Sequence, residues 1–309
     1  VRALPPQLAS LTFNFYTDGE PLQDDQQDAF WDNLMKLTQL VHLDMPEDYP
    51  CPERFVRWMQ HSQIAYLPTV VYTSDKQLLK EVLPAMPSLR SIRIRADIDR
   101  LRTRPMVWMA PIIQTCTQLT HLEIQTEPNE YLSFLEALTG LTNLARLQII
   151  TKNGEETPAS FFNLHLPNLT DLDTTMIIPD DMLPSLADFL GRHSDLVKLG
   201  LTFSCREGFG QSVAALATCT ALTSLHRRDM HNPTQLVHAF EPLPPSLRRF
   251  QWKSFEPLSH RDSSLTLPAE HTLTHFQGKT FDNNIRLHQT LVDLHTDWLR
   301  HFWPFDEAS

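Results

Sequence analysis

Glycine is scarce in this sequence, eight in 309 residues, and loops that cradle phosphate need glycine where the backbone closes on the anion. Neither GxSxG nor HExxH occurs, so the commonest hydrolase and metalloprotease signatures are missing. Basic residues are also few. The 26 Lys and Arg stand against 37 Asp and Glu, a net charge of −11, which argues against DNA or membrane surfaces as the main partner. No apolar run reaches the ~20 residues of a membrane-spanning helix, and the opening VRALPPQLASLTFNF has no apolar signal stretch. A soluble protein is expected. The chain starts in mid-pattern without an initiator methionine, and a longer gene product is expected.

Cysteine is limited to Cys51, Cys116, Cys205 and Cys219, with no CxxC pair. That usage points to reduced thiols in an intracellular compartment, cytoplasmic or nuclear. A sequon at Asn168–Thr170 falls at an expected strand edge and is not read as a glycosylation site.

What the sequence does have is a repeat. A leucine-like residue followed by apolar residues three and five later recurs as LASLTF (Leu8), LVHLDM (Leu40), IAYLPT (Ile64), LRSIRI (Leu89), LTHLEI (Leu119) and LARLQI (Leu144). It continues as LTDLDT (Leu169), LVKLGL (Leu196), LTSLHR (Leu222), LRRFQW (Leu247) and LTHFQG (Leu273). The steps run from 24 to 32 residues and settle near 25. Pro, Ser, Thr or Asn commonly precedes each leucine, a turn feeding a strand. Alternate strand positions share a face, so Leu122 and Ile124 are expected inward, with His121, Glu123 and Gln125 outward. Between the strands, apolar residues three or four apart predict helices over 27–37, 76–86, 106–116, 131–141, 182–191 and 210–219. One strand plus one helix cannot bury its own apolar side, whereas stacked copies form a continuous core with parallel strands.

These eleven segments resemble the leucine-rich-repeat family over roughly residues 4–280. The resemblance implies an α/β horseshoe solenoid, with parallel strands on a concave face and helices on a convex one. It extends over 1–296, with DWLRHFWPF (297–305) within 297–309 expected as an aromatic cap. Extracellular members usually carry cysteine-clustered caps, and residues 1–50 and 220–309 contain no cysteine. The family's Asn or Cys after the strand is absent, its place taken by Tyr16, Asp97, Glu127, Lys152, Ser204 and Phe255. Cys116 and Cys219, in CTQL and CTAL, resemble the cysteine-containing subclass found in F-box proteins, the substrate adaptors of ubiquitin ligases. The pattern weakens at Arg227 and Gly278, which take inward positions, and a last partial strand is expected at Leu291.

Fourteen histidines raise the question of a metal, but none has zinc-like spacing, the nearest groups being His226/His231/His238 and His271/His275. No metal site, cofactor or catalytic residue is expected, and the chain is read as a non-enzyme. The acidic run 18–28 lacks the glycine and terminal Glu of a calcium loop and reads as solvated. Trp31, Trp58, Trp108 and Trp252 read as core, Trp298 and Trp303 as parts of the cap.

The outward strand positions carry the site-level information. Early rungs are mixed: Arg93 and Arg95 on one, His121 and Glu123 on the next, Arg146, then Asp171 and Asp173. From Leu196 to Leu273 the outward positions include Lys198, His226, Arg228, Arg249, Gln251, Lys253, His275 and Lys279, and no carboxylate. In an acidic chain this clustering suggests docking of an acidic or phosphorylated protein segment, with Arg228, Arg249, Lys253 and Lys279 as main cations and nucleic acid disfavoured. The expected function is protein–protein interaction, as substrate recognition in a ubiquitin-ligase adaptor. The alternatives are a scaffold or assembly subunit, or a microbial effector acting on host proteins.

Overall fold

The computed structural model describes residues 7–12, 24–44, 53–67, 76–95, 106–126, 131–151, 155–204, 216–229, 246–254, 264–265, 275–279 and 286–287, together with Pro5 and Pro244. The chain forms two compact units, Val1–Glu155 with Leu164–Asp171, and Glu156–Asn163 with Leu172–Ser309. In both, sequential parallel strands alternate with helices in a repeating α/β arrangement.

The first unit holds β1 (Ser10–Thr12), β2 (His42–Asp44), β3 (Tyr66–Leu67), β4 (Ser91–Arg95), β5 (His121–Thr126) and β6 (Arg146–Thr151), neighbours in chain order. The second unit holds all but the first residue of β7 (Asp171–Ile178), then β8 (Lys198–Phe203), β9 (Ser224–Asp229), β10 (Arg249–Ser254) and β12 (His275–Lys279). A short parallel pair, β11 (Ser264–Leu265) and β13 (Arg286–Leu287), stands apart from this sheet.

Several of the described repeats share one plan. The leading leucine is buried and its N–H donates to the carbonyl three residues back, as Leu40 to Leu37, Leu119 to Cys116, Leu169 to Leu166 and Leu222 to Cys219. One residue on, a carbonyl of the preceding repeat accepts from two successive N–H groups, Arg90 O from Thr120 and His121, and Val197 O from Thr223 and Ser224. Thr120, Thr170 and Thr223 add their hydroxyls to the same acceptors. This repeated hydrogen bonding fixes the register, His121 beside Arg146 and Ser224 beside Arg249. A one-residue slip would turn the buried Leu122, Ile124, Leu147 and Ile149 to solvent.

The helices are α1 (Asp24–Leu34), α2 (Glu53–Met59), α3 (Lys76–Ala85), α4 (Ala110–Thr115), α5 (Tyr131–Leu138), α6 (Ala159–Phe162) and α7 (Leu183–Arg192). Their apolar stripes join the core through Leu79, Val82 and Leu83 of α3, Phe134, Leu135 and Leu138 of α5, and Leu186, Phe189 and Leu190 of α7. The helix expected over 106–116 starts as a 3-10 turn, Met106–Met109, and becomes α-helical only at Ala110. Pro111 explains this, because proline lacks the N–H that an interior turn requires and fits only the first turn. Pro184 places the start of α7 at Leu183 in the same way. Two helices escaped the sequence reading, α2 and α6, with seven and four residues. The stretch 210–219 is described only from Leu216 onward, and the expected cap at 297–305 and strand at Leu291 lie outside the described residues.

The turns entering the strands are held by side chains. The Gln118 amide donates to the Leu83 and Met86 carbonyls, Asn143 to Thr117 O, Asn168 to Thr142 O and the Ser246 hydroxyl to Leu222 O. Each donor directly precedes a leading leucine and reaches one repeat back. This ladder lies at the strand entry, where the expected family ladder would have followed the strand.

Candidate binding face

Along β6 and β7 inward residues are buried and outward ones half-buried or exposed. The outward rows therefore present whatever side chains the sequence places two and four residues after each leading leucine. In the first unit Arg93 of β4 donates to Glu123 of β5 at 2.6 Å, and Arg146 of β6 donates to Asp171 at 2.9 Å. His121 lies between these pairs, hydrogen-bonded through Nδ1 to the Thr120 hydroxyl at 2.8 Å. Burial pushes its pKa below the ordinary value, the Arg146 charge lowers it further, and the Asp171 carboxylate pulls it back up. Farther along the row, the rings of His42 and Tyr66 lie 4.4 Å apart.

In the second unit one outward strand position has no side chain. Gly200 of β8 lies beside His226 of β9 in the parallel register. A Cβ at Gly200 would fall 2.1 Å from Oδ1 of Asp173, because the Asp173 side chain lies across this position. Arg228 of β9 reaches over β8 to the same carboxylate. Its Nη1 and Nη2 each donate to Asp173 Oδ1 at 3.0 Å, and Nη1 also donates to the Thr174 carbonyl at 3.2 Å. Nη2 further donates to His226 Nδ1 at 3.0 Å, which requires that nitrogen to be unprotonated. The Arg228 side chain is only 12% exposed and Asp173 31%. Thr202, beside Arg228 in register, is buried.

Sequence reasoning missed this arrangement. The positions two, four and six after Leu196 and the later leading leucines hold no carboxylate, but Asp173 supplies one from the rung before. Of the expected site residues, Arg93, Arg146 and Arg228 are engaged in ion pairs within the chain. Lys198, which also has a partner within the chain, and Arg249 are exposed, and Gln251 is half-buried beside His226. The side chains of Arg95, Lys253, His275 and Lys279 lie outside the described residues.

Other singled-out residues resolve into packing. Arg227 takes its inward position, 1% exposed, with its guanidinium carbon 4.4 Å from the centre of the Phe203 ring. That contact is one of the interactions that hold a cation at a core position. Cys116 and Cys219 are buried free thiols at the place where other repeats carry Leu37, Met86, Leu141 and Leu166. Burial pushes their pKa values up to about 12 and about 11. His193 takes the same place, buried, with Nδ1 donating to the Phe189 carbonyl at 2.8 Å. Trp31 is core, packed at 4.5 Å from Phe55, whereas Trp58 and Trp108 are only half-buried and Trp252 has no described side chain. Among the described residues no group of His, Cys, Asp and Glu is arranged to hold a metal ion, and no helix is long and apolar enough to cross a membrane.

No family model and no curated protein matches the chain. Among solved structures it is similar to TLR13 in complex with a single-stranded RNA, at 16% identity and a TM-score of 0.48, over 82% of this chain and 36% of that one. It is similar to internalin C2 from Listeria monocytogenes at 14% identity and a TM-score of 0.40, over 74% of this chain and 84% of that one. A leucine-rich-repeat protein of Leptospira interrogans is similar at 12% identity and a TM-score of 0.32, over 85% and 78%. The chain thus spans about a third of the length of the TLR13 chain.

Proposed function

We propose that this chain is a protein-binding module that takes an acidic or phosphorylated segment of its partner across the outward face of β8, β9 and β10. The observation that carries this reading is the row Lys198, Ser224 and Arg249, which the parallel register sets side by side. Both cations are exposed and flank a half-buried serine. Strands lie ~4.8 Å apart, so the two cation-bearing positions are separated by roughly 10 Å, room for one phosphoryl or carboxylate group above the hydroxyl. By rung position, Lys253, His275 and Lys279 extend the same surface in sequence. In a chain of net charge −11, such a row has a distinct field for steering an anionic partner.

The role we assign to this module is substrate recognition within a ubiquitin-ligase adaptor, on the resemblance carried by Cys116 and Cys219. The buried place of both thiols would serve equally well in a scaffold or a microbial effector. The test of the surface is retention of the full chain on arrayed peptides, acidic or phosphoserine-bearing, beside neutral counterparts. Selective retention, lost in a Lys198→Glu/Arg249→Glu variant, is expected, and equal retention of both peptide sets overturns the reading. Co-purification of the full-length protein with a cullin supports the adaptor role, whereas a fixed stoichiometric set without ligase parts supports the scaffold.

A further inference from the structure

We infer that Asp173 is an internal competitor for the partner's anion, holding the Arg228 guanidinium until a phosphoryl group of the partner takes its place. The inference rests on the reading above, that the outward face of β8 to β10 receives a phosphorylated segment, and adds how that face controls its strongest donor.

Three observations carry it. First, the pairing of Asp173 with Arg228 is one-sided: both terminal nitrogens converge on a single oxygen, Oδ1. A guanidinium fork is best matched by two parallel bonds to two oxygens, and a phosphoryl group offers three acceptors and up to two negative charges. The incoming group thus improves on both the geometry and the charge of the carboxylate it displaces. Second, the contact depends on a gap. The Asp173 carboxyl group occupies the space that a side chain at Gly200 would fill, so the pair can form only where β8 carries no side chain. The third is location. Arg228 lies on β9, whose Ser224 stands between the exposed Lys198 and Arg249, so an anion drawn to that row arrives on the strand that carries the guanidinium. Asp173 is 31% exposed while Arg228 is 12% exposed, which makes the carboxylate the more accessible member of the pair.

His226 completes the seat. Its unprotonated Nδ1 accepts from Arg228 Nη2, and the Thr174 carbonyl accepts from Nη1. Both contacts orient the guanidinium without neutralising it, so removal of the Asp173 charge leaves a positioned cation. A static brace would behave differently, because its loss would slacken the face and weaken binding.

The test uses the full chain and a fluorescein-labelled peptide carrying two phosphoserines among glutamates, with affinity read by fluorescence anisotropy. If Arg228 is available to the peptide only a minor fraction of the time, the apparent dissociation constant is raised by the inverse of that fraction. Asp173→Asn is therefore expected to bind about five- to ten-fold more tightly than the unaltered chain. Gly200→Ala, which displaces the carboxylate from the other side, is expected to shift affinity in the same direction. Adding Arg228→Gln to Asp173→Asn is expected to abolish the gain. Unchanged or weaker binding by Asp173→Asn, while Arg249→Glu still reduces binding, overturns the competitor and leaves the acidic-partner reading standing. Absence of binding by the unaltered chain and by Asp173→Asn alike overturns that reading and the inference with it. If circular dichroism shows that Gly200→Ala does not fold, the near-isosteric Asp173→Asn carries the test alone.

Discussion

Arg228 and Asp173 stand two strands apart and meet at 3.0 Å, because the strand between them carries Gly200 where their side chains cross. Adding a methyl group there forces the carboxylate aside and costs the half-buried guanidinium its charged partner. Breaking a fully buried pair costs about 3–5 kcal/mol, and partial solvent access reduces this to roughly 1–3 kcal/mol for Gly200→Ala. Urea unfolding gives the number, and an unchanged midpoint would show that Asp173 finds an equivalent position.

Gly191 provides the opposite case. It lies in the last turn of α7, and a Cβ there would meet nothing within 4 Å. Gly191→Ala therefore gains helix propensity without a clash and is expected to stabilise the chain by about 0.5–1 kcal/mol. The same urea titration reads both substitutions, which should move in opposite directions.

Cys116 and Cys219 should be inert in the native state. With thiol pKa values pushed up to about 12 and about 11, almost no thiolate exists at pH 8, and burial blocks access to what little forms. Iodoacetamide labelling followed by peptide mass spectrometry should leave both unmodified without denaturant and modify both in its presence. Rapid native labelling of either would contradict the packing described.

Asn143 and Asn168 test the strand-entry ladder. Each amide donates to a carbonyl of the previous repeat, at 2.9 and 2.8 Å. Replacing either with alanine leaves that carbonyl to water at an exposed site, so a loss of about 0.5–1.5 kcal/mol is expected for each, measured by thermal unfolding. A double variant should lose close to the sum if the two rungs act independently.

His121 offers a pH-dependent signature. Its folded pKa is lowered mainly by burial and secondarily by Arg146, against a raising effect of Asp171. The folded state thus binds its proton less readily than the unfolded state, and this histidine's contribution is present above about pH 6.5 and lost as pH falls through the lowered folded value. Following the imidazole Cε1 proton by NMR, Arg146→Gln should raise the midpoint and Asp171→Asn should lower it. Movement in either opposite sense would contradict the assigned neighbours.

The repeat was legible because its signal is redundant. Leu119, Leu122 and Ile124 repeat as Leu144, Leu147 and Ile149, and all six are buried. Even the exceptions were locatable, since Arg227 takes the inward position that its spacing assigns, with Phe203 against it. Short elements were less legible: α6 is a single turn, too brief to show periodicity. His193 was missed because a histidine at a core place looks like any surface histidine until its ring nitrogen is seen on the Phe189 carbonyl. The candidate site was the least legible part. Reading each rung separately gave Arg228 as an available cation, and only the fold brings Asp173 to it across 55 residues of sequence.

Recognition of an acidic partner by the outward strand face has a direct readout. Hydroxyl-radical footprinting of the full chain with and without the phosphoserine peptide tests it most directly. Protection of His226, Arg249 and Gln251 on the strands is expected, with no change at Leu132 on α5 or Asp188 on α7. Protection of the helix residues with the strand face unchanged would contradict it.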